Sequence, residues 1–227
     1  MLYTEENVRA CIRNQDGRRV FPLKDGDRLT PSARDWLKSE SIPIVTPQET
    51  PCYTTPFGGD FLKKPEELTH LHGNVLVPKT HPRIAFRGRI DTLEAEILLA
   101  QCICDEALLA PLQAMLDFTR TLIRADVLNE PVRQTALCGL TEEELREHSH
   151  HPEKYYGQTH FLPHHKDGRT VLQLNRLRTA VREAELACCR AFTDPCGKCT
   201  RPDIVRALNR LSSLCWILMI RCKAGKL

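Results

Sequence analysis

Three things are scarce in this 227-residue chain, and each scarcity removes a class of function. No apolar run approaches the roughly 18 residues that a membrane-crossing helix needs. The longest, Leu214–Ile220, fits inside a buried helix. The first residues do not pair a charged segment with an apolar one as a secretory signal does, so a cytosolic protein is expected. Aromatic residues are 6% of the chain, and the formal net charge is only +3, with acidic residues among the basic ones. Neither a base-stacking surface nor an electrostatic footprint for nucleic acid is supported by those numbers. Strand-like alternation is rare as well, and there is neither an internal repeat nor a low-complexity tract.

What is present is helical periodicity. Apolar residues make up 41% of the chain, enough for a packed core. Residues 1–58 read as an irregular N-terminal extension and residues 59–227 as a helical bundle. In the extension, Thr30 and Pro31 open a short capped helix. Ile42–Val45 reads as a strand, and the Pro-, Thr- and Gly-rich residues 46–60 as a linker or mobile loop. In the bundle, Ile84–Cys104 and Ala107–Val127 are two predicted helices. Thr141 and Glu144 open a third with a capping box. Thr170–Phe192 is a fourth, with seam Leu174, Leu177, Val181, Ala184 and Cys188. Pro202–Cys222 is a fifth, with seam Ile204, Leu208, Leu211, Cys215 and Leu218. The fold class predicted is an all-α bundle.

The informative residues lie beside those last two seams. Arg178, Arg182 and Glu185 follow at i, i+4 and i+7, on one face next to the apolar stripe. Asn209, Ser212 and Trp216 flank the fifth helix in the same way. A helix that only needs solubility carries its charge on the far side. Charge beside the seam points to a polar pocket between helices, with a structural ion-pair network as the plainer alternative. A half-buried arginine needs an acidic partner, and Asp91, after the basic run Arg83–Ile90, is the candidate.

Three segments give the chain a resemblance to the ATP:cob(I)alamin adenosyltransferases, closest to the ethanolamine-utilisation branch and more distant from the propanediol-utilisation type. Val77-Pro-Lys-Thr-His-Pro-Arg83, followed by Gly88-Arg-Ile-Asp91, is similar to one family segment. Arg178-x-x-x-Arg182-x-x-Glu185 and Asn209-Arg-Leu-Ser212 are similar to two others, with Ser213 where the family has Asp. The resemblance covers residues 60–222. It implies a five-helix bundle that forms a homotrimer, with ATP and its Mg2+ between neighbouring subunits and cobalamin as the second substrate. It also implies ethanolamine ammonia-lyase, its reactivase or a flavoprotein reductant as partners, in the cytoplasm or a bacterial microcompartment. Arg178 and Arg182 are then the residues that stabilise the leaving triphosphate, oriented by Asp91, while Glu185 and Asn209 hold the nucleotide or its magnesium. The glycine-rich phosphate loop of the wider family is replaced by Phe61–Thr69, so Lys63, Lys64, Thr69 and Lys79 are the expected phosphate contacts, with Arg83 a further expected cofactor-binding residue. Lys24–Arg28 mimics the lost loop but reads as a surface turn. The rewritten loop and Ser213 also leave open a non-catalytic corrinoid- or nucleotide-binding carrier.

The family's Phe-x-Leu-Pro, whose Phe presses on the lower face of cobalamin, is here His160-Phe-Leu-Pro163, so either His160 or Phe161 takes that place. His148, His150, His151, His164 and His165 form a loop cluster, read as solvated side chains with metal binding as the alternative. Eleven cysteines without a secretion signal read as reduced thiols. Cys188, Cys189, Cys196 and Cys199 are the alternative, a Zn2+ or Fe2+ site. The His-x11-Cys-Cys-x2-Cys metal motif of some ethanolamine-branch relatives is absent, with only Cys52 in its region.

Overall fold

The computed structural model describes residues 1–15, 18–46, 53–133 and 136–227. The chain divides into two compact units, Met1–Cys52 with Asp60–Lys63, and Tyr53–Gly59 with Lys64–Leu227. Cys52 and residues 47–51 of the expected linker lie outside the described residues.

The first unit is small and mixed. Helix α1 (Glu5–Ala10) and helix α2 (Pro31–Ser39) accompany short strands. Leu2–Tyr3 runs parallel to Arg28–Leu29, while Arg18–Pro22 pairs antiparallel with Arg13–Gln15 and parallel with Ile44–Val45. The hydroxyl of Thr30 accepts from the Ala33 amide at 3.3 Å, the N-cap expected from the sequence. Val8, Phe21, Ala33, Leu37 and Ile42 form a separate apolar core. Lys24–Arg28 is a turn, with Gly26 at φ +84° and the Asp27 amide bonded to the Lys24 carbonyl.

The second unit is the helical bundle that the periodicity predicts. It consists of α3 (Pro82–Ile103), α4 (Leu109–Val127), α5 (Glu142–His150), the one-turn α6 (Pro152–Tyr156), α7 (Arg169–Phe192) and α8 (Pro202–Lys223). Helix α7 packs against α3 on one side and α8 on the other. Both predicted seams are shut from solvent along their whole length, from Leu174 to Cys188 and from Ile204 to Leu218. Each fully buried leucine there contributes about 1.5–3 kcal/mol relative to exposure. Thr141 and Glu144 form the expected reciprocal capping box on α5. The sequence reading missed a small sheet before α3: Leu68–His72 pairs antiparallel with Val75–Pro78, to which Tyr53–Thr54 adds in parallel. These strands are too short for alternation to stand out, and they bury only Leu71, Leu76 and Val77.

Ion pairs lock the start of α8. The Asp203 carboxylate accepts from Arg201 Nε at 3.0 Å and Nη2 at 2.9 Å, and from the Val132 amide at 2.9 Å. Burial pushes this carboxyl up, but those hydrogen bonds outweigh it and hold its pKa at about 2. A depressed carboxyl stabilises the fold above its unfolded value near 4 and loses that contribution as pH falls toward 2. With the side chain 28% exposed, the contribution is about 1–2 kcal/mol. Asp203→Asn is therefore expected to be less stable by that amount at pH 7, with the gap to wild type closing between pH 4 and pH 2. Urea unfolding at the two pH extremes checks this, and a gap that ignored pH would contradict it.

Candidate active site

An open cleft of about 400 Å³ lies between α7, α8, the end of α5 and the segment before α7. Its position follows from helical geometry. Arg178 and Arg182 each follow a seam residue, Leu177 and Val181, so they sit about 100° around α7 from the buried stripe. Asn209, Ser212 and Trp216 follow Leu208, Leu211 and Cys215 on α8 in the same way. The two polar shoulders face one groove, and all five residues line it.

Arg178 is half-buried and pre-positioned. Its Nε and Nη2 donate to Asn175 Oδ1 at 3.2 and 3.1 Å, and its guanidinium lies 5.7 Å from the centroid of the Trp216 ring. Arg182 is exposed and makes no hydrogen bond or ion pair among the described residues. Its planar fork is free for an anion. Glu185 and Asn209 are joined, the amide donating to the carboxylate at 3.2 Å across the two helices. That bond fixes the amide so that its oxygen is the group left for a ligand.

Trp216 organises the other half of the cleft. Its indole N–H donates to His160 Nδ1 at 3.2 Å, with the two rings nearly parallel at 11°. Because an indole nitrogen can only donate, His160 carries its proton on Nε2, which donates to the His150 carbonyl at 3.1 Å. Both nitrogens of His160 are thereby occupied. Phe161 stacks on Trp216 at 5.1 Å, and the Lys223 ammonium lies 4.1 Å from its ring centroid. Leu162 stands 91% exposed at the lip of the cleft, an apolar group facing whatever enters. The histidine cluster is dispersed: His148 stacks on Tyr155 at 3.7 Å and bonds Tyr156 Oη at 2.8 Å, while His164 and His165 lie against each other at 4.0 Å.

Other expected site residues are placed elsewhere. Lys64, Thr69, Lys79, Arg83 and Asp91 do not line this cleft. Lys64 donates to the Leu68 carbonyl at 3.0 Å, Thr69 is half-buried in its strand, and Lys79 is exposed. Lys63 is an exposed residue of the first unit. Within one chain Asp91 is exposed on α3 with no ion pair among the described residues, and Asn175 holds Arg178. Arg83 is engaged inside the fold. Its Nε and Nη2 donate to Asp126 Oδ1 at 2.9 and 2.6 Å, while Arg87 Nε donates to Oδ2 at 2.6 Å. Asp126 is fully buried, so Arg83 spends its charge on the fold. Asp126 went unnoticed in the sequence, although it sits at i+7 from Thr119 and i+4 from Leu122 on the core face of α4. A carboxylate in that register signals a buried ion pair.

The four-cysteine metal reading is also corrected. Among the described residues no group of three or more His, Cys, Asp or Glu side chains is arranged to hold a metal ion. Cys188 belongs to the core, where burial pushes its thiol far above the ordinary value and opposes the thiolate that a metal needs. Cys189 is half-buried and also raised by burial. Cys196 is exposed in a turn that Asp194 closes by accepting from the Cys196 and Lys198 amides at 2.9 and 2.8 Å. Cys199, in the same turn, is half-buried and close to Cys188 and Cys189, but adjacent helical positions diverge by about 100° and work against a single ion shared by all four.

The chain is an all-α bundle with two arginines and an aromatic group on one inter-helix cleft, and comparison with known proteins identifies its family. Residues 62–222 match the family described as cobalamin adenosyltransferase, and the chain belongs to that family. The Corrinoid adenosyltransferase EutT of Salmonella typhimurium is 33% identical, covering 96% of this chain and 90% of its own length. The protein of the same name from Escherichia coli is 34% identical over the same shares. A PduO-type ATP:corrinoid adenosyltransferase from Lactobacillus reuteri, a variant complexed with cobalamin and ATP, has the same fold. Its TM-score is 0.53 at 16% identity, covering 71% of this chain and 89% of that one.

Proposed function

We propose that this protein is an ATP:corrinoid adenosyltransferase. It moves the 5′-deoxyadenosyl group of ATP onto cob(I)alamin and releases triphosphate. The cobalt(I) electron pair attacks C5′ of ATP, a cobalt–carbon bond forms, and the C5′–oxygen bond breaks. Since the corrinoid is itself the nucleophile, the protein's part is to align the reactants and to stabilise charge on the leaving group. The observation that carries this reading is Arg178 and Arg182 lining one cleft with the aromatic group around Trp216. The arginines receive the triphosphate. Asn175 and Trp216 hold Arg178 in place beforehand, so little ordering is lost on binding. His160, with both nitrogens bonded, offers the corrinoid a ring edge and no lone pair.

Mg2+ on ATP fits the donors present, because this ion favours one or two carboxylates plus phosphate oxygens over an all-protein cage. Glu185 and the Asn209 oxygen would hold it, and bound there it would neutralise phosphate charge. Asp91, Lys64, Thr69 and Lys79 lie outside the cleft of their own chain and would complete the site from an adjacent copy. A homotrimer is the assembly in this reading. Leu98, Leu99 and Ile103 of α3 and Leu109 of α4 are 37–55% exposed and supply apolar surface for such packing. Among the described residues no helix is long and apolar enough to cross a membrane. The product would serve ethanolamine ammonia-lyase in the cytoplasm or a microcompartment.

The test is to mix the protein anaerobically with cob(I)alamin and MgATP and follow the spectrum of the cobalt–carbon product. Stoichiometric adenosylcobalamin and triphosphate are expected. Tight corrinoid or ATP binding with no product from folded protein would favour the non-catalytic carrier instead.

A further inference from the structure

A second cavity, of about 190 Å³, lies on a different face of α8 from the cleft, between α8, α4 and α5. Its walls include Phe118, Leu137, Leu145 and Ala207, so most of its lining is apolar. Its size is comparable to the ~150 Å³ engineered cavities that take up benzene. One side differs. Glu142, Arg206 and Arg210 border it, and they are poorly paired with one another. Glu142 Oε1 lies 3.5 Å from Arg206 Nε and 3.9 Å from Arg210 Nε, and none of the three makes a hydrogen bond among the described residues. The Arg210 side chain is only 15% exposed, and its Nε is buried without any partner. A guanidinium N–H left in that condition is costly, and proteins rarely tolerate it without a use.

The local charge is also unbalanced. Among the described residues, the charges acting on Arg210 are Arg146 and Arg206 against Glu142 and Glu143, which leaves one positive charge over when Arg210 is included. Burial holds the Arg210 guanidinium below the ordinary arginine value, against the pull of Glu142. Asp203, also at the rim, is already saturated by Arg201 and Val132 and cannot make up the difference. We infer that this cavity is a binding site for a small monocarboxylate with an apolar body, its carboxylate meeting Arg210 and Arg206 and its body lying against Phe118 and Leu145. A single negative charge suits the one uncompensated positive charge, and a dianion would meet Glu142. The site is separate from the proposed ATP cleft, because Asn209 and Arg210 point to different sides of α8, and it does not depend on the activity proposed above.

Benzoate is the probe. Titrated into the full-length protein, it is expected to bind saturably, with intermolecular nuclear Overhauser effects from its ring protons to the Leu145 methyl groups. Benzyl alcohol, of the same size without the charge, should bind roughly tenfold to a hundredfold more weakly. Arg210→Met keeps the packing of the stem and should weaken benzoate by a similar factor. Saturating MgATP should leave the benzoate affinity unchanged. Absence of the Leu145 contacts in wild-type protein would overturn the inference, as would equal affinity for benzoate and benzyl alcohol or displacement by MgATP. The wild-type contacts decide the matter even if the variant does not fold.

Discussion

Arg182→Ala is expected to lower kcat/KM for adenosyl transfer by roughly a hundredfold to a thousandfold, about 3–4 kcal/mol of transition-state stabilisation. The side chain is exposed, has no partner among the described residues, and borders the cleft beside Arg178. An arginine so placed contributes little to the fold, so the melting temperature should barely move. Arg182→Lys keeps the charge but loses the two-pronged geometry, and should recover only part of the rate. Arg178→Ala should show the same kinetic loss with a small loss of stability as well, because it also removes the contacts to Asn175 and Trp216. Steady-state kinetics beside thermal unfolding separate the two effects. If Arg182→Ala turned over normally, the triphosphate would have to lie elsewhere.

Asp126→Ala is expected to produce the largest loss of stability of any single change considered. Its carboxylate is fully buried and accepts from both Arg83 and Arg87, whose side chains are 22% and 17% exposed. Arg87 also donates to the Leu71 carbonyl at 2.8 Å, so this one carboxylate anchors the small sheet, α3 and α4 together. Removing one side of a buried pair leaves uncompensated charge and costs about 3–5 kcal/mol. That is a large part of the 5–15 kcal/mol that a domain commonly has. Replacing all three residues with apolar ones of similar volume, Arg83→Met with Arg87→Met and Asp126→Leu, should restore most of the loss. Urea unfolding of the single and triple variants gives the answer, and a loss under about 1 kcal/mol in Asp126→Ala would show that the pair is not anchoring the bundle.

How much was legible in the sequence differs between the helices and the site. The α7 and α8 seams were readable because a helix repeats its buried face every three to four residues, and a long helix repeats it many times. The capping box at Thr141 and the N-cap at Thr30 were readable because they are local hydrogen bonds with fixed spacing. The strands Leu68–His72 and Val75–Pro78 were not, since a few residues of alternation resemble any loop. The partners of the arginines were harder still. Asn175 is only three residues from Arg178, but a neutral amide gives no charge signal that would mark it as the arginine's partner. Asp126 is 43 residues from Arg83, a separation that no local rule bridges.

The order of residues alone settled that α7 and α8 form, which face each buries, and that Arg178, Arg182 and Asn209 flank those faces. Those are consequences of the 3.6-residue turn and need no knowledge of neighbours. Only folding decided which charges meet. It buried Asp126 between two arginines, tied His160 through Trp216, separated Cys188 from Cys196, and left Arg210 beside a cavity without a full complement of hydrogen bonds. Pairing depends on distances between segments far apart in the chain, and those are fixed only when the apolar faces pack.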